Sequence, residues 1–295
     1  MNTISSSMSH PERSKVPAFA RPIIISLVFF FAVVILRYSE TLIPGLVSLP
    51  DKTIASRVLG LLLMFAYLWA LRKPIQSIGI HGRNLNKAFL IGGLSLIILY
   101  IVLYTIQFVS LSNAGETPKL VFAAINKKAG VLGGLSFTMF YLFGQVVNAI
   151  MEEGIFRGVL LPNLMRRFKF WQANILQAFL FGLAHLVWPF SDWISGRATT
   201  GEVIAEAGLL IVFATLGGLV FGYLYYRTDS LWTAIFAHFV DNAASLFFHI
   251  QTASRTNAET DILIFASIGF LALVVLARVV SKRSKLSALK PWQSD

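Results

Sequence analysis

The chain contains no cysteine among its 295 residues. This absence excludes a disulfide framework, a thiol nucleophile and a zinc site built from cysteine. Charged residues are also scarce, at 13% of the chain, which is about half the share in an average soluble protein. Hydrophobic residues make up 56% and occur in long blocks, which leaves no soluble domain of useful size. The composition therefore predicts a single integral domain of a polytopic membrane protein.

The formal net charge of +11 does not indicate a nucleic-acid partner. No basic run is interleaved with aromatic residues on a soluble module, as nucleic-acid binding would require. Basic residues at the ends of membrane helices instead determine orientation and contact lipid headgroups. We therefore expect membrane lipids as partners and no nucleic acid.

The hydrophobic blocks predict an all-α fold, a polytopic transmembrane helix bundle of about eight spans. The segments lie at about 22–38, 55–71, 88–112, 130–165, 170–187, 207–226, 231–250 and 261–280. An even number of spans places both termini on one side of the membrane. That side would carry 16 basic residues against 8 on the other, where Arg37 and Arg57 are counted. This bias predicts cytoplasmic termini, and the layout fits a bacterial inner membrane.

An acidic pair interrupts the fourth hydrophobic segment. Glu152, Glu153 and Arg157 lie between two runs, 130–150 and 158–165, that hold no charged residue. A carboxylate at membrane depth is costly and is therefore usually kept for a function or a partner. Glu153 and Arg157 are four residues apart, so they share a helix face and can pair. We expect this pairing to leave Glu152 as the free carboxylate.

Three histidines and an asparagine fall at informative positions in two later segments. Glu152 and His185 lie equally far from the turn between the fourth and fifth segments, so antiparallel helices bring them to the same depth. His238 and Asn242 are four residues apart in the seventh segment and share one helix face. His249 is predicted on that same face, three turns deeper.

These residue types leave two hydrolytic mechanisms open. In one, Glu152 acts as a general base on water with help from His185, and His238 and Asn242 donate hydrogen bonds to the oxyanion. In the other, a metal ion, with zinc as the candidate, binds Glu152, His185 and His238 and activates its own water. Asn242 is a poor zinc ligand and a good oxyanion donor. The residues therefore favour the first mechanism, and we assign no metal site.

Three motifs resemble those of the CPBP family, which groups CAAX prenyl endopeptidases with bacteriocin-processing and self-immunity proteins and is also called the Abi family. They are Glu-Glu-x-x-x-Arg-Gly at 152–158, Phe-x-x-x-His at 181–185 and His-x-x-x-Asn at 238–242. The resemblance covers about residues 130–250. It implies an eight-helix intramembrane endopeptidase that hydrolyses a peptide bond of a membrane-associated or lipidated protein or peptide.

The resemblance also implies a role for each motif residue. Glu152 would be the water-activating acid and His185 its partner. His238 and Asn242 would form the oxyanion side, while Glu153 and Arg157 support the site. Three parts of the chain follow from this interpretation. They are a disordered N-terminal tail at 1–16, an integral membrane domain at 17–285 with its protease core at about 130–250, and a C-terminal tail at 286–295.

Two other functions remain open at this stage. A proton-coupled transporter would use Glu152 and the histidines as a proton relay, although the outer half of the bundle offers few aligned polar groups for one. A non-proteolytic immunity or scaffold protein would need no catalytic groups, although every motif position is filled here.

Overall fold

A computed structural model describes residues 21–42, 54–126, 131–253 and 259–292. The described chain is almost entirely helical, and its longer helices are labelled here in chain order. They are α1 Arg21–Leu42, α2 Ile54–Ala70, α3 Leu85–Asn113, α4 at 135–164, α5 Phe170–Ala184, α6 Val187–Ile194, α7 Thr200–Thr228, α8 Leu231–Phe247 and α9 Glu259–Arg283. The predicted all-α membrane helix bundle is confirmed.

Length and hydropathy make four helical segments of the described chain suitable for crossing a membrane. They are Arg21–Glu40, Leu85–Asn113, Phe170–Ile194 and Thr200–Thr228. The number of spans, about eight, therefore stays a prediction. Large apolar side chains are exposed on the outside of the bundle, among them Ile35 at 65% and Trp69 at 82%. Charged side chains are buried inside it, an inversion that fits an integral membrane protein.

The fourth helix begins at Leu135, five residues later than predicted, and continues unbroken through the acidic motif. Its regular part is Leu135–Glu153, a π-helical stretch follows at Gly154–Leu160, and a last α-helical turn ends it at Leu161–Leu164. The helix therefore widens after the glutamates and does not break at a glycine. π-helical turns of this kind are frequent at functional sites.

The described residues also form four short strands. β1 Lys119–Phe122 pairs antiparallel with β4 Phe248–Gln251, and β2 Ile125–Asn126 pairs antiparallel with β3 Val131–Leu132. α8 corresponds to the predicted seventh segment, which was expected to end at residue 250. β4 follows α8 directly, so the helix ends at Phe247. Pairing with β1 supplies the backbone hydrogen bonds that a further helical turn would have made.

The placement of His249 on the face of His238 is wrong for the same reason. His249 lies in β4, where it is buried and its Nε2 donates a hydrogen bond to the backbone oxygen of Ala123 at 2.9 Å. This contact joins β4 to the residue that follows β1. In the structure His249 therefore belongs to the β1–β4 sheet and stabilises it through this hydrogen bond.

The structure describes part of one of the two predicted tails. Residues 1–16 lie outside the described residues. Of the segment 286–295, residues 286–292 are described, and Leu289 and Trp292 are buried against the bundle. Trp292 Nε1 donates a hydrogen bond to the backbone oxygen of Ser77 at 3.2 Å.

Side chains of α5 donate hydrogen bonds directly to the backbone of α7. Asn174 Nδ2 donates to the backbone oxygen of Leu219 at 2.9 Å, and Gln177 Nε2 donates to that of Gly218 at 3.1 Å. Small residues and interhelical hydrogen bonds are the usual means of helix association in lipid. The glycines of α7 at this contact, Gly218 and Gly222, let the α5 side chains reach its backbone. The contact thereby fixes α5, whose last residue, Ala184, directly precedes the predicted site residue His185.

Replacing Gly222 with alanine tests this contact. The new methyl group would overlap Asn174 Oδ1 and lie 2.9 Å from Gln177 Nε2. We expect the free energy of unfolding in detergent to fall by about 1–3 kcal/mol. Gly208→Ala, on the same helix with no atom within 4 Å of the added carbon, is the matched control and should stabilise by up to about 1 kcal/mol. Equal thermal unfolding of the two variants would contradict the tight α5–α7 contact.

Candidate active site

The charged residues of the acidic motif are buried in the bundle. Glu152 is 2% exposed, and Glu153 and Arg157 are fully buried. They lie where the regular part of α4 passes into its π-helical stretch. Charges so far from water need partners of opposite charge, because an unpaired buried charge is strongly destabilising.

The predicted pair of Glu153 and Arg157 is present. Arg157 Nη1 lies 2.8 Å from Glu153 Oε1. The guanidinium carbon of Arg157 also lies 4.2 Å from the centre of the Phe181 ring. Nε and Nη2 of Arg157 have no hydrogen-bond partner among the described residues, so the ring face provides part of the contact with this cation.

The expectation that Glu152 is a free carboxylate is wrong. Arg37 Nη2 forms an ion pair with Glu152 Oε1. Arg37 is only 6% exposed and lies within α1. It was predicted at the outer surface, where it would have served as an orientation signal. Packing of α1 against α4 instead brings it to the acidic motif, where the buried carboxylate needs a cation.

The second oxygen of Glu152 differs from the first. Oε2 has no hydrogen-bond partner in the described part of the chain. It lies 3.3 Å from His238 Nε2. One oxygen of Glu152 is thus held by a cation from another helix, while the other is left to face the imidazole.

His238 joins the two glutamates. Its Nδ1 lies 2.7 Å from Glu153 Oε1, the same oxygen that pairs with Arg157. Because a carboxylate oxygen accepts, Nδ1 carries the proton of this bond. The ring of Phe221 stacks on the imidazole with centres 5.5 Å apart. The bond and the ring contact fix the plane of His238 and direct Nε2 towards Glu152.

A cavity of about 170 Å³ opens beside His238. Its polar lining comes from α8 and from the end of α5, with aromatic and small side chains from α7 and α9 around it. The polar residues are His185, His238, Asp241, Asn242 and Ser245. The cavity is large enough for several water molecules. Two predicted residues, His185 and Asn242, therefore share one cavity with His238.

His185 has one ring nitrogen occupied. It directly follows the last residue of α5, and its Nδ1 donates to the backbone oxygen of Phe181 at 2.8 Å. In the neutral ring that bond leaves Nε2 as an acceptor. His185 can therefore accept a proton or hydrogen bond from a water molecule in the cavity.

Asn242 is oriented by a residue that the sequence did not single out. Its Nδ2 donates to Gln145 Oε1 at 3.1 Å. An amide nitrogen carries two hydrogens, so one remains for another acceptor. Gln145 precedes Glu152 by two helical turns on α4. This spacing predicts that both side chains lie on one helix face, so Gln145 could have been found from the sequence.

Asp241 also has a partner from another helix. Tyr100 of α3 donates its hydroxyl hydrogen to Asp241 Oδ1 at 2.5 Å. Nothing in the sequence paired these residues, which are 141 positions apart. The bond holds the carboxylate of Asp241 to one side of the cavity.

Comparison with known proteins places the site within a recognised segment. Residues 134–244 match the family model described as type II CAAX prenyl endopeptidase Rce1-like. This Rce1-like segment contains Glu152, His185, His238 and Asn242, and the predicted resemblance is confirmed. It does not include α1, so Arg37 lies outside it.

One relative supports the same class of protein. The protein of Bacillus subtilis (strain 168) named "Putative membrane peptidase YdiL" is 24% identical over 110 residues, which make up 37% of each chain. The matched stretch thus spans little more than a third of the length of that relative. No solved structure matches. The shared segment supports a membrane peptidase.

The residues of the Rce1-like segment do not fit a metal ion in this arrangement. In the described chain, no group of three or more histidine, aspartate and glutamate side chains could hold one. Glu152 Oε1 is bound to the Arg37 guanidinium, whose positive charge would repel a cation at the same oxygen. Nδ1 of His238 donates to Glu153 and leaves Nε2 facing Glu152, so the feature that opposes a cation in the set Glu152, His185 and His238 is the arginine.

Removing the cation from the Glu153 pair should destabilise the protein. Arg157→Ala leaves a fully buried carboxylate without its arginine, and we expect a loss of about 3–5 kcal/mol. Folded yield should fall together with any activity. The double variant Glu153→Gln/Arg157→Met should recover part of the yield, because it buries no unpaired charge.

Arg197→Ala is the matched control for that experiment. Arg197 also pairs with a carboxylate, that of Asp192, but its side chain is 58% exposed. Its loss should change the free energy of unfolding by no more than about 1 kcal/mol. Normal folded yield of Arg157→Ala, measured by size-exclusion chromatography, would show that this pair does not support the fold.

Proposed function

We propose that the protein is an intramembrane endopeptidase that hydrolyses a peptide bond of a membrane-associated protein or peptide. The observation that carries the proposal is the cavity beside His238. Two histidines and an asparagine of the Rce1-like segment line it, and Glu152 lies behind His238, with Oε2 3.3 Å from its Nε2. A hydrolase needs such a base and such hydrogen-bond donors around one reacting carbonyl.

The proposed reaction begins with a water molecule between Glu152 Oε2 and His185 Nε2. Both atoms are acceptors, so both can take a hydrogen bond from it. Glu152 takes one proton of the water while the water oxygen attacks the peptide carbonyl carbon. The carbonyl becomes a tetrahedral oxyanion, and the proton then passes from Glu152 to the amine that leaves.

Donors on α8 are proposed to stabilise the oxyanion. The second amide hydrogen of Asn242 is available, because Gln145 occupies the first. His238 Nε2 would add a second hydrogen bond when its ring is doubly protonated. Preorganised donors of this kind contribute most where water is excluded. Contacts of His238 with Glu153 and Phe221 keep its ring in place during the reaction.

We propose membrane lipids as the surroundings of the bundle and a membrane-associated or lipidated protein or peptide as its substrate. The apolar outer surface supports this, since a substrate would reach the buried site from the lipid phase. We also propose a bacterial inner membrane with both termini in the cytoplasm. The basic residues in the segments that this orientation places in the cytoplasm support it.

Glu152→Gln tests the proposed base. The amide keeps the shape of the side chain and an oxygen for Arg37, but it cannot take a proton. We expect cleavage to fall at least about 100-fold, so that uncleaved precursors accumulate. The measurement is a mass-spectrometric comparison of membrane and secreted peptides from cells that carry the wild type or the variant at equal amounts in the membrane.

Glu206→Gln makes the same chemical change on a different helix, α7. It is the matched control and should give the same peptides as the wild type. Identical peptides from wild-type and Glu152→Gln cells would instead favour a non-proteolytic immunity or scaffold protein. A loss of proton-coupled uptake in the variant without any change in peptides would favour a transporter.

We further propose that no metal takes part in the proposed reaction. The reason is that Arg37 occupies Glu152 Oε1, where its positive charge would repel a metal cation. Purified protein should cleave its precursor at the same rate before and after dialysis against a chelator. Loss of cleavage that stoichiometric zinc restores would establish the metal mechanism instead.

A further inference from the structure

Among the described residues, Arg37 is the charged partner of Glu152 that comes from outside the Rce1-like segment. We infer that Arg37 is a positioning residue: it binds Oε1 of Glu152 and thereby turns Oε2 towards the reaction water. This inference rests on the proposed function. It makes α1 part of the active site, although residues 134–244 alone carry the family match.

The contact itself has the geometry that positioning requires. A carboxylate is planar, so an ion pair at one oxygen also sets the direction of the other. Arg37 Nη2 binds Oε1, and Oε2 has no hydrogen-bond partner among the described residues. Both side chains are buried, at 6% and 2% exposure, so water does not compete for the pair.

Other cations near Glu152 are already engaged. Arg157 lies one turn further along α4 and is paired with Glu153. His238 donates from Nδ1 to Glu153 and meets Glu152 only with Nε2, at 3.3 Å. Arg37 is therefore the partner that distinguishes the two oxygens of Glu152.

Packing of the whole of α1 fixes the position of Arg37. Near the start of α1, the backbone oxygen of Pro22 accepts a hydrogen bond from Asn163 Nδ2 of α4 at 3.2 Å. Fifteen residues later, Arg37 meets Glu152, which lies earlier on α4. The two contacts run in opposite directions along the chain, so α1 is antiparallel to α4 and attached to it at both ends.

The end of α1 is also joined to α2. Glu40 Oε1, one turn after Arg37, accepts a hydrogen bond from the backbone nitrogen of Ser56 at 2.5 Å. Arg57, the next residue of α2, is 5% exposed. Groups from α2 and α4 thus hold the turn of α1 that carries Arg37, and its guanidinium approaches Glu152 from a fixed backbone.

A double-mutant cycle on unfolding temperature tests the ion pair without any assay of cleavage. The variants are Arg37→Met, Glu152→Gln and the two combined, purified in detergent. Arg37→Met leaves Glu152 buried without its arginine and should lower the unfolding temperature by about 5 °C or more. The combined variant should regain most of that loss. Additive effects of the two single variants would overturn the inference, because independent residues do not couple.

Kinetics then separate positioning from mere stabilisation. The substrate is the precursor peptide that accumulates in Glu152→Gln cells. Arg37→Met should lower kcat about 100-fold and leave KM within about threefold, because substrate binding does not depend on the direction of Oε2. Arg37→Lys keeps the charge and should recover at least part of kcat. Arg197→Met, which removes an exposed arginine, should retain the kcat of the wild type.

Besides additive thermal effects, three results would overturn the inference. Wild-type kcat in folded Arg37→Met would show that Glu152 needs no such partner. An increase in kcat would show that Arg37 locks the acid away from water. If wild-type and Glu152→Gln cells give the same peptides, the proposed function fails, and a coupled thermal cycle then makes Arg37 a structural partner of Glu152 only.

Discussion

Two adjacent carboxylates in the interior of a membrane bundle require two cations, and the structure supplies them from different helices. Arg157 comes from the same helix as Glu153, and Arg37 comes from α1. Each pair neutralises one charge where water cannot. His238 then connects the pairs by contacting both glutamates. The acidic motif thereby sets how α1, α4 and α8 must pack, because displacing α1 would leave Glu152 without its arginine and displacing α8 would remove His238 from both glutamates.

The close contact of α5 and α7 serves the same site from the other side. Gly218 accepts the hydrogen bond from Gln177, and a methyl group built on that glycine would lie 3.2 Å from Arg157 Nη2. α7 thus lies directly over the arginine as well as against α5. The end of α5 places His185 in the cavity beside His238. Helix packing and site geometry therefore depend on the same few small residues.

Local spacing made part of this arrangement predictable from the sequence. Glu153 and Arg157 lie on one helix, so their separation by four residues was enough to pair them. The helical fold followed from long apolar blocks. Arg37 was missed because a charge near the end of an apolar segment has the same pattern whether it faces headgroups or a buried acid. His249 was misplaced because its strand pairs with β1, and sequence periodicity does not report pairing between distant segments.

Different partners distinguish the two glutamates. Oε1 of Glu153 has two donors, one from Arg157 and one from His238. Oε2 of each glutamate has no hydrogen-bond partner in the chain as described, but Oε2 of Glu152 faces Nε2 of His238, a cavity-lining residue, at 3.3 Å. The cation that neutralises Glu152 is held at its other oxygen. In the proposed reaction a proton is therefore gained and lost at Oε2 without breaking an ion pair. Adjacent carboxylates on one helix can thus differ in function because their partners come from different helices.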